Sequence, residues 1–405
     1  MISFRCEQSN EKMPAAKTEQ NRRLGRYVTK NYYNESVRAF VPVPLPPGPP
    51  VRLDAMQQLL DLANQSVGRL DGLTSLLPDP SLFIYANIRK EALLSSQIEG
   101  TQSSLSDLLL FENDEAPNAP LKDVKEVSHY VAAMNYGLER LQQGFPLSLR
   151  LLCEIHQILL SKGLGEEKQP GEFRRSQNWI GGSRPGNAAF VPPPPELVLE
   201  CMSSLELFLH EERSGLPLLV RAALVHVQFE TIHPFLDGNG RLGRLLITFM
   251  LCAQGVMREP ILYLSLYFKK HRAAYYDLLD RVRAKGDWEA WVHFFLTGVK
   301  ETAEQAVEAT RRIVKLFEKN QRQIESLGRP ATSAMRLFAH LQRHPIVSIP
   351  LTARQIGISA PTVAQSLEHM HHLGFVHEIT GHERHRLFVY EPYLTILNEG
   401  TEPIP

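Results

Sequence analysis

Five side chains able to do chemistry crowd into HPFLDGNGRLGR (233–244): His233, Asp237, Asn239, Arg241 and Arg244, with glycines at 238, 240 and 243. An imidazole titrates near neutrality and suits a general base that takes a proton from a hydroxyl. Gly238 and Gly240 flank Asn239, so consecutive backbone N–H groups can turn toward one oxyanion, and a helix starting there adds its dipole. Arg241 and Arg244 lie three apart on one helical face, within reach of a single polyphosphate. Asp237 stands just before the turn, where a carboxylate among phosphates holds Mg²⁺. Each feature alone has a plain explanation: His-Pro makes loops, Gly-Asn-Gly makes turns, and arginines that open helices are usually solvated. Their concentration is what points to nucleotide phosphate chemistry with a hydroxyl nucleophile. No GxxxxGK[ST] or HExxH occurs, which disfavours a P-loop ATPase or a zincin.

Two buried helices must position this loop. LPLLVRAALVHVQFETIHP is apolar almost throughout, accepts Pro217 in its first turn, and should stop near Thr231 because Pro234 bars helical geometry before it. RLGRLLITFMLCAQG forms the second, closed by Gly255. Around them, RLDAMQQLLDLANQSVGRLDGL, SLFIYANIRKEALLSSQIEG, LKDVKEVSHYVAAMNYGLERLQQG, LSLRLLCEIHQILLSKG and DWEAWVHFFLTGVKETAEQAVEATRRIVKLFEKN carry apolar residues at three- and four-residue spacing. The fold class is mainly α. EFRRSQNWIGGSRPGNAAFVPPPPELV interrupts the helices with Gly-Gly, Arg-Pro-Gly and two β-prone pieces, and reads as a hairpin flap at 176–191.

The chain divides into an amino-terminal arm (1–50) ending in the extended segment VPVPLPPGPP, amino-terminal helices (51–140), a core (141–325) and a carboxyl-terminal module (330–395). In the module, ATSAMRLFAHLQRHP, TARQIGI and SAPTVAQSLEHMHHLG read as three helices and FVHEITGHERHRLFVYEP as two strands, a winged helix-turn-helix pattern. Its recognition helix has no Lys or Arg and carries Glu368, which leaves DNA contact to Arg354, Arg384 and Arg386 and makes protein contact or dimerisation an equal alternative. His369, His371 and His372 do not converge as metal ligands, and His226 reads as a core histidine. Lys and Arg equal Asp and Glu at 44 each, so no global field draws the chain to nucleic acid or anionic membrane. Four scattered cysteines and the absence of a long apolar run or leader pattern give the expectation of a reduced, cytoplasmic protein that does not touch a membrane.

HPFLDGNGRLGR resembles the Fic family signature HPFx(D/E)GNGRxxR without a departure, and the resemblance extends over about 51–325. It implies an α-helical enzyme that transfers AMP from ATP, with Mg²⁺, to a Ser, Thr or Tyr hydroxyl of a target protein or of itself. His233 would be the base and Asp237 the metal ligand. Gly238, Asn239 and Gly240 would form the anion hole, with Arg241 and Arg244 on the outer phosphates. The flap, including Gln177, Asn178, Trp179 and Ile180, would align a target segment by strand addition. Trp179, Ile180 and Phe190 would line it, and Tyr275 or Tyr276 would border the adenine.

SSQIEG (95–100) places Glu99 at a helix carboxyl end, where the dipole disfavours an anion. Ser95, Glu99 and Gly100 match the family's (S/T)xxxE(G/N) inhibitory motif. The resemblance implies that Glu99 pairs with Arg244 and blocks productive ATP binding. Alternative activities are AMP removal or phosphotransfer at the same site, or DNA-binding regulation through the winged helix. A homodimer is also expected.

Overall fold

The computed structural model describes residues 23–32, 35–75, 80–112, 120–161, 166–211, 215–381 and 386–404. Fold class and element order agree with the sequence reading over most of this span. The first helices are α1 (Gln57–Ser75), α2 (Pro80–Ile98), α3 (Leu105–Glu112), α4 (Leu121–Gln142) and α5 (Leu149–Leu159). The core continues with α6 (Pro195–Leu209), α7 (Leu218–Ile232), α8 (Asn239–Ala253), α9 (Ser265–Lys270), α10 (Arg272–Lys285) and α11 (Trp288–Glu325). At the centre stands α7, whose residues 219–232 are all buried; a helix with no polar face is stable only when other helices surround it. It packs on α8, α6, α10 and α11. The 38-residue α11 begins at Asp287, which caps Ala290 N–H at 3.3 Å, and lies along α1.

The arm departs from the expectation of a polar, extended segment. Residues 1–22 lie outside the described residues, but Arg26–Tyr32 (β1) and Glu35–Val41 (β2) form an antiparallel hairpin. Val37, Ala39 and Val41 are buried at period-two spacing, a strand signal that the equally buried Phe40 interrupts. The hairpin supports the flap. Phe40 N–H donates to Val191 O at 2.9 Å, and Val37, Ala39 and Val191 form a small apolar cluster with Trp179 beside it. Glu35 pairs with Arg184 across the same face. The flap itself is minimal: one antiparallel bridge joins Ile180 and Phe190, and a turn of 3₁₀ helix (Pro185–Asn187) makes the tip.

Beyond α11 come α12 (Ala331–Arg343), β3 (Ile346–Ser348), α13 (Ile349–Ile356), α14 (Ala360–His372), β4 (Val376–Glu378), β5 (Leu387–Tyr390) and α15 (Glu391–Asn398). The strands pair antiparallel in the order β3-β5-β4, and α13 joins α14 through Gly357 in the left-handed region. Phe317 of α11 packs against Tyr390, Tyr393 and Phe338, so the long helix is shared by core and module. The sequence pattern did not reveal α15 or the return of residues 399–404 to the core. There the buried Gln97 amide of α2 donates to Thr401 O at 2.8 Å and Ser103 O at 3.0 Å, and Lys269 donates to Gly400 O and Glu402 O. Arg312 fixes Glu399 through two bonds of 2.9 and 2.7 Å. Gln97→Ala strands two buried carbonyls and should lower unfolding free energy by about 1–3 kcal/mol. Urea unfolding checks this, and faster amide exchange at 399–404 should accompany it.

Candidate active site

The loop between α7 and α8 is held from three sides. His233, the last turn's cap, adopts φ 48° and ψ 61°, a left-handed geometry that costs a non-glycine residue about 1 kcal/mol or more. Surrounding bonds enforce it. Arg174, 2% exposed, donates Nε to His233 O at 2.9 Å and accompanies this with bonds to Pro193 O and Ile232 O. Asn178 donates to Phe235 O at 2.9 Å and to His233 O at 3.4 Å. From within, Asn239 accepts from Phe235 N at 2.9 Å and donates back to Phe235 O at 2.8 Å.

From below, His156 of α5 stacks on Phe235 with ring centroids 3.8 Å apart. Its Nδ1 accepts from Gly171 N–H at 2.9 Å, which leaves Nε2 to donate to Asp237 O at 3.0 Å. Burial pushes the His156 pKa down to about 4, so the ring is neutral and the tautomer fixed. Burial also pushes His233 down to about 3, reinforced by Arg283 and Arg174 and opposed by Glu99. At neutral pH its imidazole is therefore uncharged and able to accept a proton.

The α8 amino terminus faces a cavity of about 300 Å³ lined by Glu99, Glu126, His233, Leu236, Asp237 and residues 238–241. Gly238 opens the helix with φ 74°. Asp237 Oδ1 accepts from Gly238 N–H at 2.6 Å, which steadies the turn and leaves the half-exposed carboxylate at the cavity edge. The next N–H groups have no intrahelical acceptor. Arg244 is 2% exposed: Nε donates to Ser95 Oγ at 2.8 Å and one terminal nitrogen to Ser95 O at 2.9 Å and Glu99 Oε1 at 2.7 Å. Glu99 follows α2, whose end turns at Gly100 with φ 108°. Its carboxylate lies over Gly240 so closely that a methyl group there would collide with it. Burial would raise the Glu99 pKa, but Arg244, then Arg241 and His233, outweigh it and lower it. The carboxylate occupies the space in front of the α8 amino terminus.

Residues 57–139 match the family model for the Fic/DOC family N-terminal region, and residues 146–251 match that for the Fic/DOC family. The chain therefore carries a Fic/DOC N-terminal region followed by a Fic/DOC domain. Protein adenylyltransferase Fic of Culex quinquefasciatus is 32% identical over 220 residues, 53% of this chain and 41% of that protein. The protein of the same name from Drosophila willistoni is 31% identical over 229 residues, 56% of this chain and 41% of its own. The chain thus spans about two-fifths of the length of these curated relatives. A solved Fic family protein from Desulfovibrio desulfuricans G20 shares the fold at a TM-score of 0.55 and 20% identity, covering 84% of this chain and 97% of that one.

Among the residues singled out in sequence, His233, Asp237, Gly238, Asn239, Gly240, Arg241 and Glu99 meet at one Fic cavity, with Arg244 and Ser95 directly behind Glu99. Gly100 provides the turn that follows α2. Gln177 and Asn178 point into the protein, where Gln177 donates to Asn178 O and Pro192 O. His226 is a core histidine, bonded through Nδ1 to Gly243 O and through Nε2 to Tyr275. Tyr275 is correspondingly buried, whereas Tyr276 is 39% exposed. No three His, Cys, Asp or Glu side chains among the described residues form a metal cluster, including His369, His371 and His372. The described helices include none long and apolar enough to cross a membrane.

Sequence reasoning missed Arg174, His156, Arg283 and Glu126. Arg174 sits one residue from an ordinary exposed arginine and His156 inside a common amphipathic pattern, so no local signal separates them. His156→Phe keeps the stacked ring and loses both bonds, at a cost of about 1–3 kcal/mol at pH 7. Because the folded pKa lies below the unfolded value, this histidine's stabilising contribution is present above about 6.5 and is lost as pH falls toward 4. The wild-type advantage over His156→Phe should therefore narrow by roughly 1–2 kcal/mol between pH 7 and pH 5, measured by urea unfolding.

Proposed function

We propose that the chain is a protein adenylyltransferase held at low activity by Glu99, transferring AMP from ATP to a hydroxyl on a target protein or on itself. The observation that carries this reading is the Glu99–Arg244 pair over Gly240, opposite a neutral His233 across one cavity. ATP would lay its phosphates over the α8 amino terminus, where N–H groups, the helix dipole, Arg241 and Arg244 all favour negative charge. His233 would take the hydroxyl proton as the oxygen bonds to the α-phosphorus and the bond to the β-phosphate oxygen breaks, releasing pyrophosphate. With Glu99 on Arg244, the terminal phosphate cannot use that cation and the α-phosphate is not brought to His233.

Mg²⁺ fits the donor set. One half-exposed carboxylate, Asp237, borders a cavity with room for water and phosphate oxygens, which suits an ion that retains waters and arrives with a nucleotide. Asp237 would hold it, and the ion would neutralise charge developing on the phosphates. For the target, Val191 is already bonded to β2, so the 177–180 side of the flap is the edge for strand addition. We read 330–395 as a winged helix, and the absence of Lys and Arg from α14 favours a protein partner over DNA.

Wild type, Glu99→Gly and His233→Ala incubated with α-labelled or γ-labelled ATP and Mg²⁺ test the proposal. Protein labelling from the α-label alone, at least tenfold higher in Glu99→Gly and absent in His233→Ala, is the expected result. Equal labelling of wild type and Glu99→Gly would overturn the brake. Labelling only from the γ-label would establish phosphotransfer instead.

A further inference from the structure

Arg241, the first arginine of the signature, has a carboxylate of its own. Glu126 of α4 places Oε2 3.5 Å from a terminal nitrogen of Arg241, and Asp237 Oδ1 lies 3.9 Å from the other. Arg241 is 6% exposed, and neither its Nε nor the nitrogen facing Glu126 makes a hydrogen bond. The guanidinium is thus buried, loosely neutralised and short of directed acceptors, a condition that a phosphate oxygen would relieve. Glu126 lines the same cavity as Glu99, from a different helix. Three carboxylates (Glu99, Glu126, Asp237) then face two guanidiniums (Arg241, Arg244) around a neutral His233.

We propose that Glu126 is a positioning residue that holds Arg241 at the cavity wall and competes with nucleotide phosphate for it, setting ATP affinity independently of Glu99. This rests on the reading of the cavity as a nucleotide phosphate site. Glu99 blocks one cation and Glu126 weakens the other, so removing Glu99 leaves a second carboxylate that an incoming polyphosphate must displace. Burial pushes the Glu126 carboxyl up, against the pull of Arg241 and Lys122. Glu126 touches no reacting atom in this scheme; it acts through Arg241.

The experiment compares Glu126→Gln and Glu126→Asp in a Glu99→Gly background. ATP and ADP binding is measured by calorimetry on the same variants carrying His233→Ala, where turnover cannot interfere. Glu126→Gln should tighten ATP about three- to tenfold, in Kd and in KM, with kcat within twofold, and Glu126→Asp should restore most of the parent affinity. Unchanged or weaker ATP binding by Glu126→Gln would overturn the proposal. So would a fall in kcat at unchanged KM, which would assign Glu126 to the chemistry or the metal. Failure of Glu99→Gly to transfer AMP would sink the broader reading while leaving the calorimetric comparison valid, so the two failures are distinguishable.

Discussion

The fit of one carboxylate between a guanidinium and a glycine organises this molecule. Glu99 reaches Arg244 only because Gly240 has no Cβ, and Arg244 is available only because Ser95 takes its Nε and one terminal N–H from the same helix. The charges come from opposite ends of the core. Glu99 follows the carboxyl end of α2, where the dipole is unfavourable to it, and Arg244 stands in the second turn of α8. Pairing removes both penalties: the anion leaves a negative helix end, and the buried cation gains a partner without which its desolvation would be costly. A helix amino terminus flanked by two guanidiniums attracts anions in general, and here the anion beside it is a carboxylate of the protein itself. Such a terminus does not distinguish anions except by reach and concentration, and Glu99 is always present.

That arrangement depends on the position of α2 relative to α8, and much of the chain is spent on fixing it. Helix α2 is clamped by α4 and α9, by Gln97 to residues 103 and 401, and by Glu91 to Ser265. The face bearing Glu91, Ser95 and Glu99 at four-residue spacing looks toward Arg244, while Gln97 on the other side grips the returning tail. The module beyond α11 is therefore joined to the glutamate-bearing helix through residues 399–404 as well as through α12, with Tyr85 against His344. A displacement of that tail would be felt two residues from Glu99.

Legibility followed locality. HPFLDGNGRLGR displays its chemistry because His233, the glycines and both arginines are contiguous, and a helix amino terminus turns contiguity into convergence. The fold class was legible for a similar reason, since α8 and α11 carry their periodicity within single windows and α7 is apolar almost throughout. Glu99 was legible through its pattern with Ser95 and Gly100. The supports were not: Arg174, His156 and Gln177 act by donating to backbone carbonyls far along the chain, and a carbonyl has no sequence identity to pair with. The β1–β2 hairpin escaped because half its residues face solvent and dilute an alternation only seven residues long. Glu126 escaped because a glutamate on an amphipathic helix is ordinary until the partner helix places an arginine 3.5 Å away.

The backbone of His233 shows how the supports and the chemistry are coupled. A left-handed histidine is a strained choice, and with it His233 lines the same cavity as the α8 amino terminus. The cost is offset where it arises, because the carbonyl turned outward by that geometry is the one Arg174 and Asn178 capture. Burial chiefly keeps the imidazole neutral, and the same Arg174, after Arg283, adds to that effect. Position and protonation state of His233 therefore share Arg174 as a contributor. A change at Arg174 would disturb both together, even though its side chain lines no part of the cavity.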